Sequence, residues 1–109
     1  METVDLPALA EELLADARTA TSGRAARSIR SGRELRLRQT VLALAAGSGM
    51  DDHETNGEAT LQVLAGRVRL RWMDESLEVG TGEAVGIPPV RHALDALTDA
   101  VVLLTVAVR

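Results

Sequence analysis

A chain of 109 residues, 46% hydrophobic and 26% charged, has the size of one ordinary domain with one core. It is too short for two domains and too apolar to be a disordered tail. The absence of Cys excludes disulfides, thiolate metal sites and cysteine nucleophiles, and nothing points to an oxidising compartment. Net charge is −4, unevenly placed: Arg18, Arg24, Arg27, Arg30, Arg33, Arg36 and Arg38 crowd one segment, while Asp51, Asp52, Glu54 and Glu58 crowd another.

The first 18 residues carry helical spacing. Leu6, Leu9, Ala10, Leu13, Leu14 and Ala17 form one stripe, with Glu11, Glu12 and Asp16 off it. Asp5 suits the N-cap, and Pro7 falls in the first turn, where a missing N–H costs little. The small, polar run Thr19 to Arg24 links this helix to the rest, so residues 1–24 are expected as helix and linker and residues 25–109 as the main domain. No run approaches the roughly 20 apolar residues that span a bilayer, and the acidic opening lacks the order of a signal peptide. A cytoplasmic protein without a membrane partner is the expectation.

From Ala25 onward the pattern is that of strands and tight turns. After Ser31-Gly32, residues Leu35, Leu37 and Val41 alternate with Arg36, Arg38 and Thr40, which predicts a strand with the leucine face buried. Leu42 and Leu44 break that alternation, so its end is expected to be covered on both sides. Thr60 to Leu64 and Arg67 to Trp72 flank Ala65-Gly66 as a predicted hairpin, with Val68, Leu70 and Trp72 inward and Arg67, Arg69 and Arg71 in water. Short strands are predicted around Leu77 to Val79, Glu83 to Ile87 and Ala93 to Leu97. The apolar run Ala100 to Val108 reads as a doubly buried strand or one at a subunit contact. Roughly eight strands, with turns about every 8 to 12 residues, predict a closed barrel or sandwich.

The chain has two histidines, both beside loops. His53 follows a Gly-rich turn and His92 follows Pro88-Pro89, whose fixed φ angles stiffen the approach. Gly47, His53 and Gly66, with the run Thr60 to Val68, resemble the first motif of the cupin family. Gly82, Pro88 and His92 are similar to its second motif, one residue short. The resemblance runs from about Ala25 to Arg109. It implies a mainly β, cupin-type, jelly-roll-like barrel with the N-terminal α-helix outside it, and a pocket centred on His53 and His92.

Cupin metal sites combine three His with one Glu. Here Thr55 stands at the second His position and Ala59 at the Glu position, while Ala96 replaces the Asn that follows the last His. The resemblance therefore leaves three readings open. A divalent metal (Fe, Mn, Ni or Zn) is held by His53, His92 and a carboxylate, for which Glu58 in a turn is a better guess than Glu54. Alternatively, the two imidazoles act on a small ligand without metal, one serving as general base, with Trp72 and Thr55 as ligand contacts. In the third reading they are relics of a lost site. The matching function classes are a metal-dependent isomerase or oxygenase, and a non-catalytic small-molecule sensor or binding module.

Trp72, the one aromatic residue, reads first as core and second as a pocket wall. The Arg cluster lacks aromatic residues for stacking, and Arg36 and Arg38 alternate as a solvated strand face would, so nucleic acid is not an expected partner. A small polar ligand is, and the apolar helix stripe and final strand favour a homodimer.

Overall fold

The computed structural model describes residues 2–54 and 57–108. Helix α1 (Leu6–Thr19) starts as its sequence suggests: the Ala8 N–H donates to Asp5 Oδ1 at 3.0 Å, and proline occupies the first turn. Nine strands follow among the described residues. They are β1 (Arg24–Arg30), β2 (Leu37–Leu44), β3 (Gly49–His53), β4 (Gly57–Ala65), β5 (Arg67–Trp72), β6 (Glu75–Gly80), β7 (Ala84–Gly86), β8 (His92–Ala96) and β9 (Ala100–Val108). They form two antiparallel sheets, the first in the order β1-β2-β9-β4-β7 and the second in the order β3-β8-β5-β6.

The sheets face each other across a core of Leu42, Leu44, Leu61, Val63, Val68, Leu70, Val79, Leu94, Ala96, Ala100 and Val102. Period-two alternation supplies this face from each strand in turn. The first sheet is buried on its outer side as well, where Leu9, Leu13 and Ala17 of α1 cover Val41, Ala43, Val101 and Leu103. This double burial explains the unbroken apolar run of β9, which occupies the centre of the sheet. The expected doubly buried final strand is found.

Two expectations need correcting. The Ala65-Gly66 turn does not close a hairpin, because β4 pairs with β9 and β7 whereas β5 pairs with β6 and β8. The turn instead carries the chain from one sheet to the other. It needs glycine: Gly66 has φ +84°, and a Cβ there would stand 2.1 Å from the Asp99 carbonyl oxygen. The second correction concerns β2. Val41 is buried beneath α1 on the outer side, while Leu37, on that same face past the helix, is 45% exposed. Leu42 and Leu44 point into the core, so Thr40 and Arg38, in phase with them, belong to the inner face. Both faces of this strand are apolar at Val41 to Leu44, and alternation alone does not say which one looks into the barrel.

The two ends of the sandwich differ. One is closed by the turn at Gly66 and by the loop at Asp99. The Ala46 N–H donates to Asp99 Oδ1 at 2.8 Å, and the Arg18 Nε–H donates to Oδ2 at 2.8 Å. The Ala46 N–H first, and Arg18 second, hold the Asp99 carboxyl below its ordinary value. At the other end lie the connections between β1 and β2, between β5 and β6 and between β7 and β8, and the inner faces there are less uniformly apolar.

Candidate functional site

The open end of the second sheet brings His53, His92 and Trp72 into one row on three adjacent strands. His53 stands opposite His92, and His92 stands opposite Trp72. Each shares a face with core residues of its own strand: Trp72 with Leu70 and Val68, and His92 with Leu94 and Ala96. The two imidazole ring centroids are 4.5 Å apart, with planes at 60°. Two side chains 39 positions apart thus meet inside one sheet pair.

A β-bulge makes this possible. On β3, Met50 pairs with Leu94 and His53 pairs with His92, so three steps on β3 match two on β8. Regular pairing would set Asp52 opposite His92. The extra residue sends Asp51 and Asp52 to the exposed side and returns His53 inward, the re-aiming that bulges provide beside binding sites.

Hydrogen bonds fix both rings. His92 Nδ1 lies 2.8 Å from the Val90 carbonyl oxygen, and His53 Nδ1 lies 2.9 Å from the Asp51 carbonyl oxygen. A carbonyl only accepts, so Nδ1–H donates in each case, and a neutral ring then offers Nε2 as an acceptor. His92 is 2% exposed, and its Nε2 is buried with no hydrogen-bond partner among the described residues.

Glu58 is not part of this group. On β4, Ala59, Leu61 and Val63 face the core, which places Glu58, Thr60 and Gln62 on the exposed outer side. There Glu58 borders a hollow of about 570 Å³ with Leu37, Thr60, Ile87, Pro89, Thr105 and Ala107. Thr55, the other expected ligand contact, lies outside the described residues. Among the described residues, no group of three or more His, Asp or Glu side chains is arranged to hold a metal ion. The two oriented imidazoles are half of a ligand set, short of the three protein ligands that a catalytic centre keeps. The described donors do not by themselves fit a resident divalent metal.

Outside the row, the opposite face of the second sheet is an ion-pair surface. Asp95 accepts from Arg71, and Glu78 accepts from Arg67 at 3.0 Å and Arg69 at 3.2 Å. Hydrogen bonds from these guanidinium groups hold Glu78 below the ordinary carboxylate range, and the bond to Asp95 raises Arg71. A hollow of about 330 Å³ lined by Asp52, Arg71, Trp72, Met73, Val90 and Arg91 adjoins the open end.

Arg38 is a residue that the sequence reading assigned to water. The structure puts it on the inner face of β2, half-buried. Its guanidinium donates to the Leu35 and Gly32 carbonyl oxygens at 3.4 Å each, and no carboxylate pairs with it among the described residues. The signal was its parity with Leu42 and Leu44.

No family model matches the sequence, and no curated protein matches it. Solved structures do. A conserved protein of unknown function from Streptococcus pyogenes is 24% identical, with a TM-score of 0.74 over 83% of this chain and 78% of that one. An RmlC-like cupin protein from Desulfovibrio desulfuricans is 23% identical, with a TM-score of 0.67 over 77% of this chain and 81% of that one. A salicylate 1,2-dioxygenase from Pseudaminobacter salicylatoxidans is 17% identical, with a TM-score of 0.76 over 92% of this chain and 33% of that one. Among the described residues no helix is long and apolar enough to cross a membrane. With two facing antiparallel sheets, an N-terminal helix laid across one of them and several solved cupins superposing on most of its length, the chain has the cupin fold.

Proposed function

We propose that the protein binds a small polar molecule at the open end of its barrel, through His92 and His53 and without a resident metal. The observation that carries this reading is the buried Nε2 of His92, which has no partner among the described residues. Leaving a buried acceptor unsatisfied costs about 1–3 kcal/mol, and native proteins seldom keep such a group without a use for it. A ligand O–H or N–H reaching this nitrogen supplies the missing bond. The Val90 carbonyl holds the ring so that Nε2 is already the accepting atom, and Trp72 in the same row offers an apolar wall.

Trp72 is the single tryptophan of the chain and therefore a built-in reporter. Fluorescence titration with small polyols and hydroxy acids is expected to give saturable changes in the native protein and none in His92→Leu. Equal responses in both proteins, or none in either, rule the site out.

A second reading, a metal-dependent isomerase or oxygenase, draws support from one observation. Imidazoles tied through Nδ1–H to backbone carbonyls and presenting Nε2 have the outer-sphere arrangement usual for metal ligands. The likeness to a dioxygenase is one of fold. Metal analysis of untagged protein separates the readings: stoichiometric metal that disappears in both His53→Ala and His92→Ala favours the enzyme, and metal-free protein that still binds ligand favours the binding module.

A further inference from the structure

We propose that the molecule taken up at the open end is a small organic acid, its carboxylate held by Arg38 and an adjacent hydroxyl donated to His92. This rests on the binding reading above and names the chemical class of the ligand.

The register of the first sheet sets the geometry. Arg38 stands opposite Val106, Val106 stands opposite Ala59, and the Ile87 N–H donates to the Ala59 carbonyl at 2.9 Å. Arg38, Val106, Ala59 and Ile87 thus form an inner row of that sheet near the open end, with one further row, Gly57 opposite Val108, beyond it. His53, His92 and Trp72 form the last inner row of the other.

The β3 edge of the second sheet lies over β1 and β2, since Met50 and Leu42 line one hollow together with Arg24, Ala25 and Ala26. Proceeding from that contact toward the open end, β3 reaches His53 and β2 reaches Thr40 and then Arg38. Arg38 and the imidazole pair therefore belong to facing rows at the same end, with the guanidinium resting against the Gly32 and Leu35 carbonyls of the β1–β2 connection.

Charge singles out the ligand class. Among the described residues, Arg18, Arg27, Arg67, Arg69 and Arg71 each have a carboxylate partner, and Arg24, Arg30, Arg33, Arg36 and Arg91, which have none, are exposed. Arg38 is half-buried on the core face, and its contacts are two long bonds to neutral carbonyls. A guanidinium carries five donors in a planar fork suited to a carboxylate, and a partly desolvated cation without a counter-charge favours an incoming anion. With Nδ1–H tied to a backbone carbonyl, each imidazole turns Nε2 to the site as an acceptor, so the fitting molecule is an anion that also carries a hydrogen-bond donor. A hydroxy acid meets both demands, and a simple polyol meets one.

The test uses the intact chain and Trp72 fluorescence, with glycolate and malate as acids and ethylene glycol and glycerol as neutral counterparts. The acids are expected to bind and the polyols to bind at least tenfold more weakly. Acid affinity should fall as salt is raised. Arg38→Gln should lose at least tenfold in acid affinity, Arg38→Lys should lose less because charge remains without the fork, and Arg69→Gln, on the outer face of the second sheet, should match the native protein. Thermal melts of all three variants establish that they fold.

Polyols binding as tightly as acids through His92, or folded Arg38→Gln binding acids as the native protein does, overturns the acid assignment and leaves the pocket standing. No saturable response to any probe in folded native protein overturns both.

Discussion

At the closed end of the sandwich, Leu44, Val68, Ala96 and Ala100 meet between the sheets, all of them fully or almost fully buried. At the open end the same two sheets finish in Arg38, Thr40, His53, His92 and Trp72. The first group satisfies itself by packing. The second includes a buried nitrogen and a half-buried cation that have, among the described residues, no hydrogen-bond partner and no counter-charge respectively. One end is thus built for cohesion, and the other keeps bonding capacity in reserve at some cost in stability, a division expected where a scaffold supports a site.

Mutations at the two ends should therefore move stability in opposite directions. The largest effect is expected from Leu44→Ala at the closed end, where removing a fully buried side chain costs about 2–5 kcal/mol. An unfolding free energy lowered in urea titration by less than a fifth of that would mean the closed end is loosely packed. At the open end, His92→Leu removes the orphaned acceptor and is expected to leave stability unchanged or raise it by up to ~1 kcal/mol, while abolishing the Trp72 response to ligand. A loss of stability comparable to Leu44→Ala would make His92 a structural residue and erase the contrast.

A third, smaller effect is pH-dependent. The folded Asp99 carboxyl lies below its ordinary value of 3.8 because of the Ala46 N–H and Arg18. Its contribution is fully present above 3.8 and fades as pH falls through the lowered folded value. Asp99→Asn should melt earlier than the native protein at neutral pH, and the two curves should converge in strong acid. A pH-independent gap would show that charge plays no part in closing this end. The smallest effect belongs to Glu78→Gln on the exposed outer face, where melting should not move beyond measurement error in physiological salt, since solvent-exposed pairs contribute little. A clear drop would place real cohesion outside the core.

Much of the fold was legible where one physical signal acted alone. Helical spacing with Asp5 and Pro7 marks α1, and the unbroken apolar run marks β9 as buried on both faces. Legibility failed where one local pattern serves two outcomes. An Ala-Gly turn looks alike whether the chain doubles back within a sheet or crosses to the other, and β2 is apolar on both faces just where the inner face had to be chosen. The convergence of His53 and His92 was reached through the resemblance, because nothing local links residues so far apart.

The bulge that aims His53 has no signature in the pair Asp51-Asp52. The Glu58 expectation had a contrary signal within its own strand, where polar Glu58, Thr60 and Gln62 alternate with apolar Ala59, Leu61 and Val63. Arg38 was passed over because an arginine in an alternating strand normally faces water.

The helix laid across the first sheet has a further consequence for how the chain survives its own synthesis. Val41, Ala43, Val101 and Leu103 form a continuous oily sheet surface that α1 covers. Bared, such a surface is a template for other chains, rich in β-branched residues and free of charge. Because α1 precedes every strand, it leaves the ribosome before the surface it must cover exists, and the cover is ready when the last strand docks. A chain shortened past Thr19 is expected to accumulate as insoluble aggregate, even though every residue of the barrel is present.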